Sequence, residues 1–131
     1  MKIILLALVT FISCSSNDCK KLKTGKFEFH SKYVGKILFE RDKNFQTETV
    51  VDSGTVARYK IKWLDDCSFI MFERKLLKGK ELIPDPKFVE AINRDTILVE
   101  ITEVNGNEYQ TRSKIFNSNE DWYLSKSKKI E

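Results

Sequence analysis

Three cysteines (Cys14, Cys19 and Cys67), a single histidine (His30) and the adjacent carboxylates Asp65 and Asp66 are the residues here whose types could do chemistry. No two cysteines stand in a Cys-x-x-Cys spacing, so no dithiol redox site is encoded. His30 alternates with Phe27 and Phe29 and shares the side of Glu28, which is an outward position with an ordinary surface role. A zinc centre at His30 would have to recruit distant Cys, Asp or Glu groups, and no ligand cluster with metal spacing is legible. Neither Ser nor Cys pairs with His30 in a nucleophile motif. Asp65-Asp66 resembles an acid–base pair only superficially, because both residues close a strand and have turn chemistry. Glu73 continues the alternation of Phe69 and Met71, and is expected to point inward unless a bulge or the barrel rim exposes it. These residues predict no enzyme, no cofactor and no metal.

Cys14 has a different context. Lys2 precedes an apolar run from Ile3 to Ile12, which ends in Ser13-Cys14, and the polar Ser15-Ser16-Asn17-Asp18 follows. A basic start, an apolar stretch too short to span a bilayer and a small residue before cysteine resemble a bacterial lipoprotein signal. The segment Phe11-Ile12-Ser13-Cys14 departs from the usual pattern at Phe11, where such signals carry Leu or another aliphatic residue. The expected organisation is a signal peptide over 1–13, a lipidated N-terminus and polar tether over 14–24, and one domain over 25–131. Acylation of Cys14 would leave Cys19 and Cys67 either as a disulfide pair or as two separate thiols. An exported, oxidising location suits the pair.

Cleavage after residue 13 leaves 118 residues, enough for one domain with a modest core, and lowers the formal charge from +4 to +3. Basic and acidic residues alternate throughout. The densest basic group, Lys126, Lys128 and Lys129, reads as a solvated end, and the balance predicts no nucleic-acid partner.

Period-two alternation dominates the mature chain. Phe27 and Phe29 begin it, and a second strand covers about 34–41. Asp42-Lys43-Asn44 turns into a third strand, with Phe45, Thr47, Thr49 and Val51 expected on one face. After Asp52-Ser53-Gly54, Ala57, Tyr59, Ile61 and Trp63 share one side while Arg58, Lys60 and Lys62 share the other. Cys67 to Leu77 returns with Phe69 and Met71 inward. Phe88, Val89 and Ile92, close behind Pro86, predict one or two helical turns over 86–93. Ile97, Val99 and Ile101 mark a sixth strand. Asn105-Gly106 predicts a type I′ hairpin into Tyr109, Thr111, Ser113 and Ile115, and a final strand covers Trp122 to Ser127.

Eight short strands joined by tight turns predict an all-β antiparallel meander, closed as a small up-and-down barrel or left as a strongly curved sheet, with one short helical segment. The expected interior holds Phe27, Phe29, Tyr59, Trp63, Phe69 and Met71, with Thr47, Thr49, Thr111 and Ser113 as its polar members. Those hydroxyls would either pack as small fillers in a solid core or line a partly polar ligand cavity.

Asp18-Cys19 with Leu22, Thr24-Gly25-Lys26-Phe27, Trp63 with Asp66-Cys67-Ser68-Phe69, and the run Ile101 to Tyr109 together resemble a group of small lipoproteins from Bacteroidota, including Flavobacteria. The resemblance covers most of the mature chain and favours the Cys19–Cys67 disulfide. Some similar proteins carry a DNA topoisomerase IV label. Nucleotide-binding and strand-passage domains have no room in 118 residues, so that label does not transfer. Thr24-Gly25-Lys26-Phe27 also resembles the opening strand of lipocalin-like folds, with Phe27 where those carry tryptophan.

The expectation is therefore a non-enzymatic lipoprotein of the cell envelope, lipid-anchored in the outer membrane, with a structural role or a protein partner. The alternative is binding of a lipid or small hydrophobic ligand inside the barrel.

Overall fold

The computed structural model describes residues 16–131; Cys14 and the apolar leader lie outside the described residues. A short helix α1 (Ser16–Lys20) precedes β1 (Gly25–Ser31), β2 (Gly35–Arg41), β3 (Phe45–Val50), β4 (Val56–Trp63) and β5 (Ser68–Lys78). Helix α2 (Pro86–Arg94) then leads to β6 (Ile97–Asn105), β7 (Glu108–Ile115) and β8 (Tyr123–Lys129). Each strand pairs antiparallel with the next, and β8 pairs with β1, closing an eight-stranded barrel. The closing seam is short: only Phe27–Phe29 of β1 meet Ser127–Lys129 of β8.

One end of the barrel is sealed. The chain termini of the domain and the β2–β3, β4–β5 and β6–β7 turns meet there. Cys19, Leu22, Phe27, Phe39, Ile101 and Tyr109 form the main core cluster at that end. A Cys19–Cys67 disulfide, with Cα atoms 5.2 Å apart, ties the segment before β1 to the β4–β5 turn. Residues 16–24 are thus more than the expected tether. Cys19 and Leu22 are both fully buried, because the disulfide and the apolar Leu22 side chain draw the segment beneath the barrel. The second cluster, Ile61, Phe69 and Val99, lies higher in the barrel.

Three local features correct the sequence expectation. On β3 the inward face is Gln46 and Glu48, not Thr47 and Thr49. Gln46 pairs with Arg41 and Glu48 with Phe39, whereas Thr47 and Thr49 stand opposite Glu40 and Leu38 on the outer face. The β2–β3 connection sets this parity: the Asp42 carboxylate accepts from the amides of Asn44 and Phe45 at 2.8 Å each, fixing which residue re-enters the ladder first. Phe45 turns outward as well, and the Arg58 guanidinium covers its ring at 4.5 Å. The β6–β7 hairpin pairs Asn105 with Glu108, so its loop is Gly106-Asn107. Positive φ occurs at Gly106 and not at Asn107, which fits a II′ turn rather than I′.

On β5, Glu73 has φ 49° at a register break opposite Tyr59, a bulge that breaks the alternation. Glu73 therefore turns outward to an ion pair with Lys60, and Arg74 takes the inward position with a side chain 6% exposed. Helix α2 starts as the sequence predicts: Asp85 caps it by accepting from the Lys87 amide at 3.0 Å, with Pro86 in the first turn.

Candidate functional site

Strands β2 and β3 bring Arg41, Gln46 and Glu48 into the barrel. Arg41 is 3% exposed, and its guanidinium lies 4.7 Å from both the Phe27 and Phe69 rings, 5.5 Å from Phe39 and 5.8 Å from Trp63. This aromatic surround offsets part of the desolvation that pulls the Arg41 pKa down, a shift the neighbouring Tyr109 opposes. Arg41 donates to the Leu22 carbonyl and, at 3.0 Å, to Gln46 Oε1. Gln46 Nε2 donates at 2.9 Å to Glu48 Oε1, so the amide bridges the buried cation and anion. Burial raises the Glu48 pKa, opposed by the Gln46 hydrogen bond and by the charges of Arg74 and Arg41.

Tyr59 stands near both this group and an ion pair, Arg74–Glu81. Burial first, then the Glu48 charge, raise the Tyr59 pKa, while Arg74 opposes them. Arg74 binds Glu81 through two hydrogen bonds of 2.7 and 3.0 Å, and reaches Asn93 of α2 at 3.1 Å. Burial pushes the Glu81 carboxyl up, but Arg74 outweighs it and leaves the pKa below its ordinary value. Arg41–Gln46–Glu48 and Arg74–Glu81 are thus two hydrogen-bonded groups whose charges act on one another across Tyr59.

Above the sealed floor the barrel is hollow. A cavity of about 170 Å³ is bounded by Phe29, Ile37, Phe69 and Met71 on its apolar side, by Arg41, Gln46 and Glu48, and by the inward hydroxyls of β7 and β8. Of the lining read from sequence, Phe29, Phe69, Met71, Thr111 and Ser113 are in place. Phe27 lies in the floor instead, stacked on Phe39 at 5.0 Å and edge-on to Tyr109 at 5.8 Å. Tyr59 is core, and Trp63 tilts against Phe69 at 4.6 Å beside the disulfide end. Thr47 and Thr49 face solvent-side neighbours and take no part.

A larger outer groove of about 730 Å³ follows β8 past the seam, lined by Glu28, His30, Glu108, Leu124 and Lys126 among others. Phe29, Tyr109, Tyr123, Ser125 and Ser127 border both spaces. His30 stands in this groove, 71% exposed and 4.0 Å from Glu28. Asp65 and Asp66 are turn residues. Asp65 accepts from the Cys67 amide at 2.8 Å, the main cause of its lowered pKa, and Asp66 pairs with Lys23 at 2.9 Å. Among the described residues no group of three or more His, Cys, Asp or Glu could hold a metal ion.

Sequence reasoning missed Arg41, Gln46, Glu48, Ser125 and Ser127. The alternation Ser125-Lys126-Ser127-Lys128 carried a signal for the two serines. Arg41 shares the parity of Phe39 and could have been found from it. Gln46 and Glu48 gave no such sign, because their polarity argues for the outer face unless the β2–β3 register is known. No family model, no curated protein and no solved structure matches the chain.

Proposed function

We propose that this chain is a non-enzymatic lipoprotein of the outer membrane, anchored by lipid on Cys14, whose barrel holds a small ligand. The observation that carries the reading is the half-filled interior: a sealed, densely packed floor beneath a partly polar cavity. Sequences that use a barrel only as a scaffold gain stability by filling it, and a void costs the contacts its lining loses. Keeping four charged side chains and several hydroxyls inside also gives up stability that apolar packing would supply. The cavity of about 170 Å³ is smaller than the ~300 Å³ of drug-sized sites, so the ligand is compact rather than a whole lipid.

The position of the anchor supports access. Cys14 precedes Ser16 by two residues, a reach of at most about 7 Å, and α1 lies at the sealed end. Attachment there would hold the floor toward the membrane and turn the mouth away from it. A protein-partner reading is favoured by a different observation. Tyr33, Phe88, Phe116, Tyr123 and Leu124 are all exposed, and all lie at the end opposite the anchor.

Intact mass measurement on protein from fractionated membranes tests the anchor: the expected product begins at Cys14 and carries acyl mass, and a soluble unmodified product contradicts it. Native mass measurement of the same sample tests the ligand: a released compound of small mass is expected. A ligand-free barrel bound stoichiometrically to an envelope protein would favour the partner reading.

A further inference from the structure

The inward faces of β7 and β8 form three successive cross-strand pairs in which every side chain carries a hydroxyl. Tyr109 stands opposite Ser127, Thr111 opposite Ser125, and Ser113 opposite Tyr123. All six line the cavity. Serine has little β-propensity to recommend it at these positions; Tyr109 is buried, Thr111, Ser113, Ser125 and Ser127 are half-buried, and Tyr123 stands exposed at the mouth.

Their bonding capacity is unspent. Among the described residues the hydroxyls of Thr111, Ser113 and Ser125 make no hydrogen bond to the protein. The buried Tyr109 hydroxyl lies beside Arg41 and Ser127, yet makes no hydrogen bond of good geometry. Each of these groups both donates and accepts. The opposite wall is apolar at Phe29, Ile37 and Met71, so the cavity has one hydrogen-bonding side and one greasy side.

Charge narrows the ligand further. Arg41 is committed to the Leu22 carbonyl and Gln46 within its aromatic surround, Glu48 accepts from Gln46, and Arg74 is held by Glu81. Among the charged groups that line the cavity, Arg41 and Glu48 are each already hydrogen-bonded within the protein, so neither offers a charged guest a free partner. At about 170 Å³ the cavity suits a compact ring with its substituents rather than an acyl chain. Resting on the ligand-binding reading above, we propose that the cavity takes a neutral, polyhydroxylated ring the size of one sugar ring. Its hydroxyl edge bonds the β7–β8 ladder, and its C–H face meets Phe29 and Met71.

The test uses the lipidated mature protein in mild detergent, with saturation-transfer NMR and competition to rank small probes. The neutral probes are glucose, galactose, mannose and N-acetylglucosamine; glucuronate and glucosamine are charged rings of the same size, and cyclohexanol is a nearly apolar one. At least one neutral sugar is expected to bind about tenfold more tightly than either charged ring. The Ser113→Ala/Ser125→Ala variant, checked for an unchanged melting profile, is expected to lose about tenfold in that affinity, the effect of one to two hydrogen bonds. Cyclohexanol binding should change less than about twofold, because the apolar wall is untouched. Binding of cyclohexanol with no neutral sugar, or a charged ring binding as well as the best sugar, overturns the ligand class and leaves the barrel as a binding site. Failure of every probe overturns both.

Discussion

Replacing Arg41 by methionine keeps an unbranched apolar stem among Phe27, Phe39, Trp63 and Phe69 but deletes the guanidinium. Two charge-assisted hydrogen bonds disappear, one to the Leu22 carbonyl and one to Gln46 Oε1. Bonds of this kind contribute about 1.5–3 kcal/mol each. The same change leaves Glu48 with only Gln46 and the more distant Arg74 to offset its buried charge. The two bonds together amount to about 3–6 kcal/mol, so Arg41→Met should destabilise the domain by roughly that amount. Urea unfolding followed by tryptophan fluorescence suits the measurement, since Trp63 lies 5.8 Å from the guanidinium and reports on this end of the barrel. Arg41→Met/Glu48→Met removes both charges, and should recover at least about 1 kcal/mol of the loss through their coupling. An Arg41→Met loss below about 1 kcal/mol, or a double variant whose loss is the plain sum of the singles, would refute the idea of a coupled interior network.

Opening the disulfide with Cys19→Ala/Cys67→Ala frees a chain separation of 48 residues, which the chain-entropy model puts at about 4 kcal/mol. Urea midpoints should fall accordingly and trypsin should cut sooner at Lys20, Lys21 and Lys23; a shift under about 1 kcal/mol would contradict the clamp. Glu48 supplies a pH test. Its folded pKa is raised, so the fold favours the neutral acid, and the associated stability is full below the unfolded value and lost as pH rises through the interval up to the folded one. Glu48→Gln should therefore gain on the wild type as pH climbs above about 4.3, and match its trend below; urea midpoints across pH that run parallel would count against it. Thr47→Val/Thr49→Val lies on the outer face, so unfolding should shift by less than about 0.5 kcal/mol and cavity binding should be unchanged. A changed affinity for any cavity probe would restore the inward placement of those threonines.

The strands were legible because alternation is a local property, and Ala57, Tyr59, Ile61 and Trp63 state it without ambiguity. Parity between strands is not local. The choice between Thr47 and Gln46 as the inward residue depends on how Asp42 fixes the turn amides, and β-propensity pointed to the threonines. The bulge at Glu73 was equally hidden, since its outward turn is settled by the neighbouring strand and its Lys60 partner. Thr111 and Ser113 were found from their own strand. Their significance as half of a hydroxyl ladder emerges only once β8 is set beside them in register. The helix over 16–20 escaped notice because Cys19 is its one apolar residue, too little to show a period.

The central claim is that the upper barrel is a binding site rather than a poorly filled core. A crystal structure of the mature protein, extracted gently from its own membranes, tests it most directly. The account predicts ordered non-protein density between Glu48 and the Ser113–Ser125 wall, with polar atoms within hydrogen-bond reach of those hydroxyls. A barrel filled by its own side chains, or one holding only water, would contradict it.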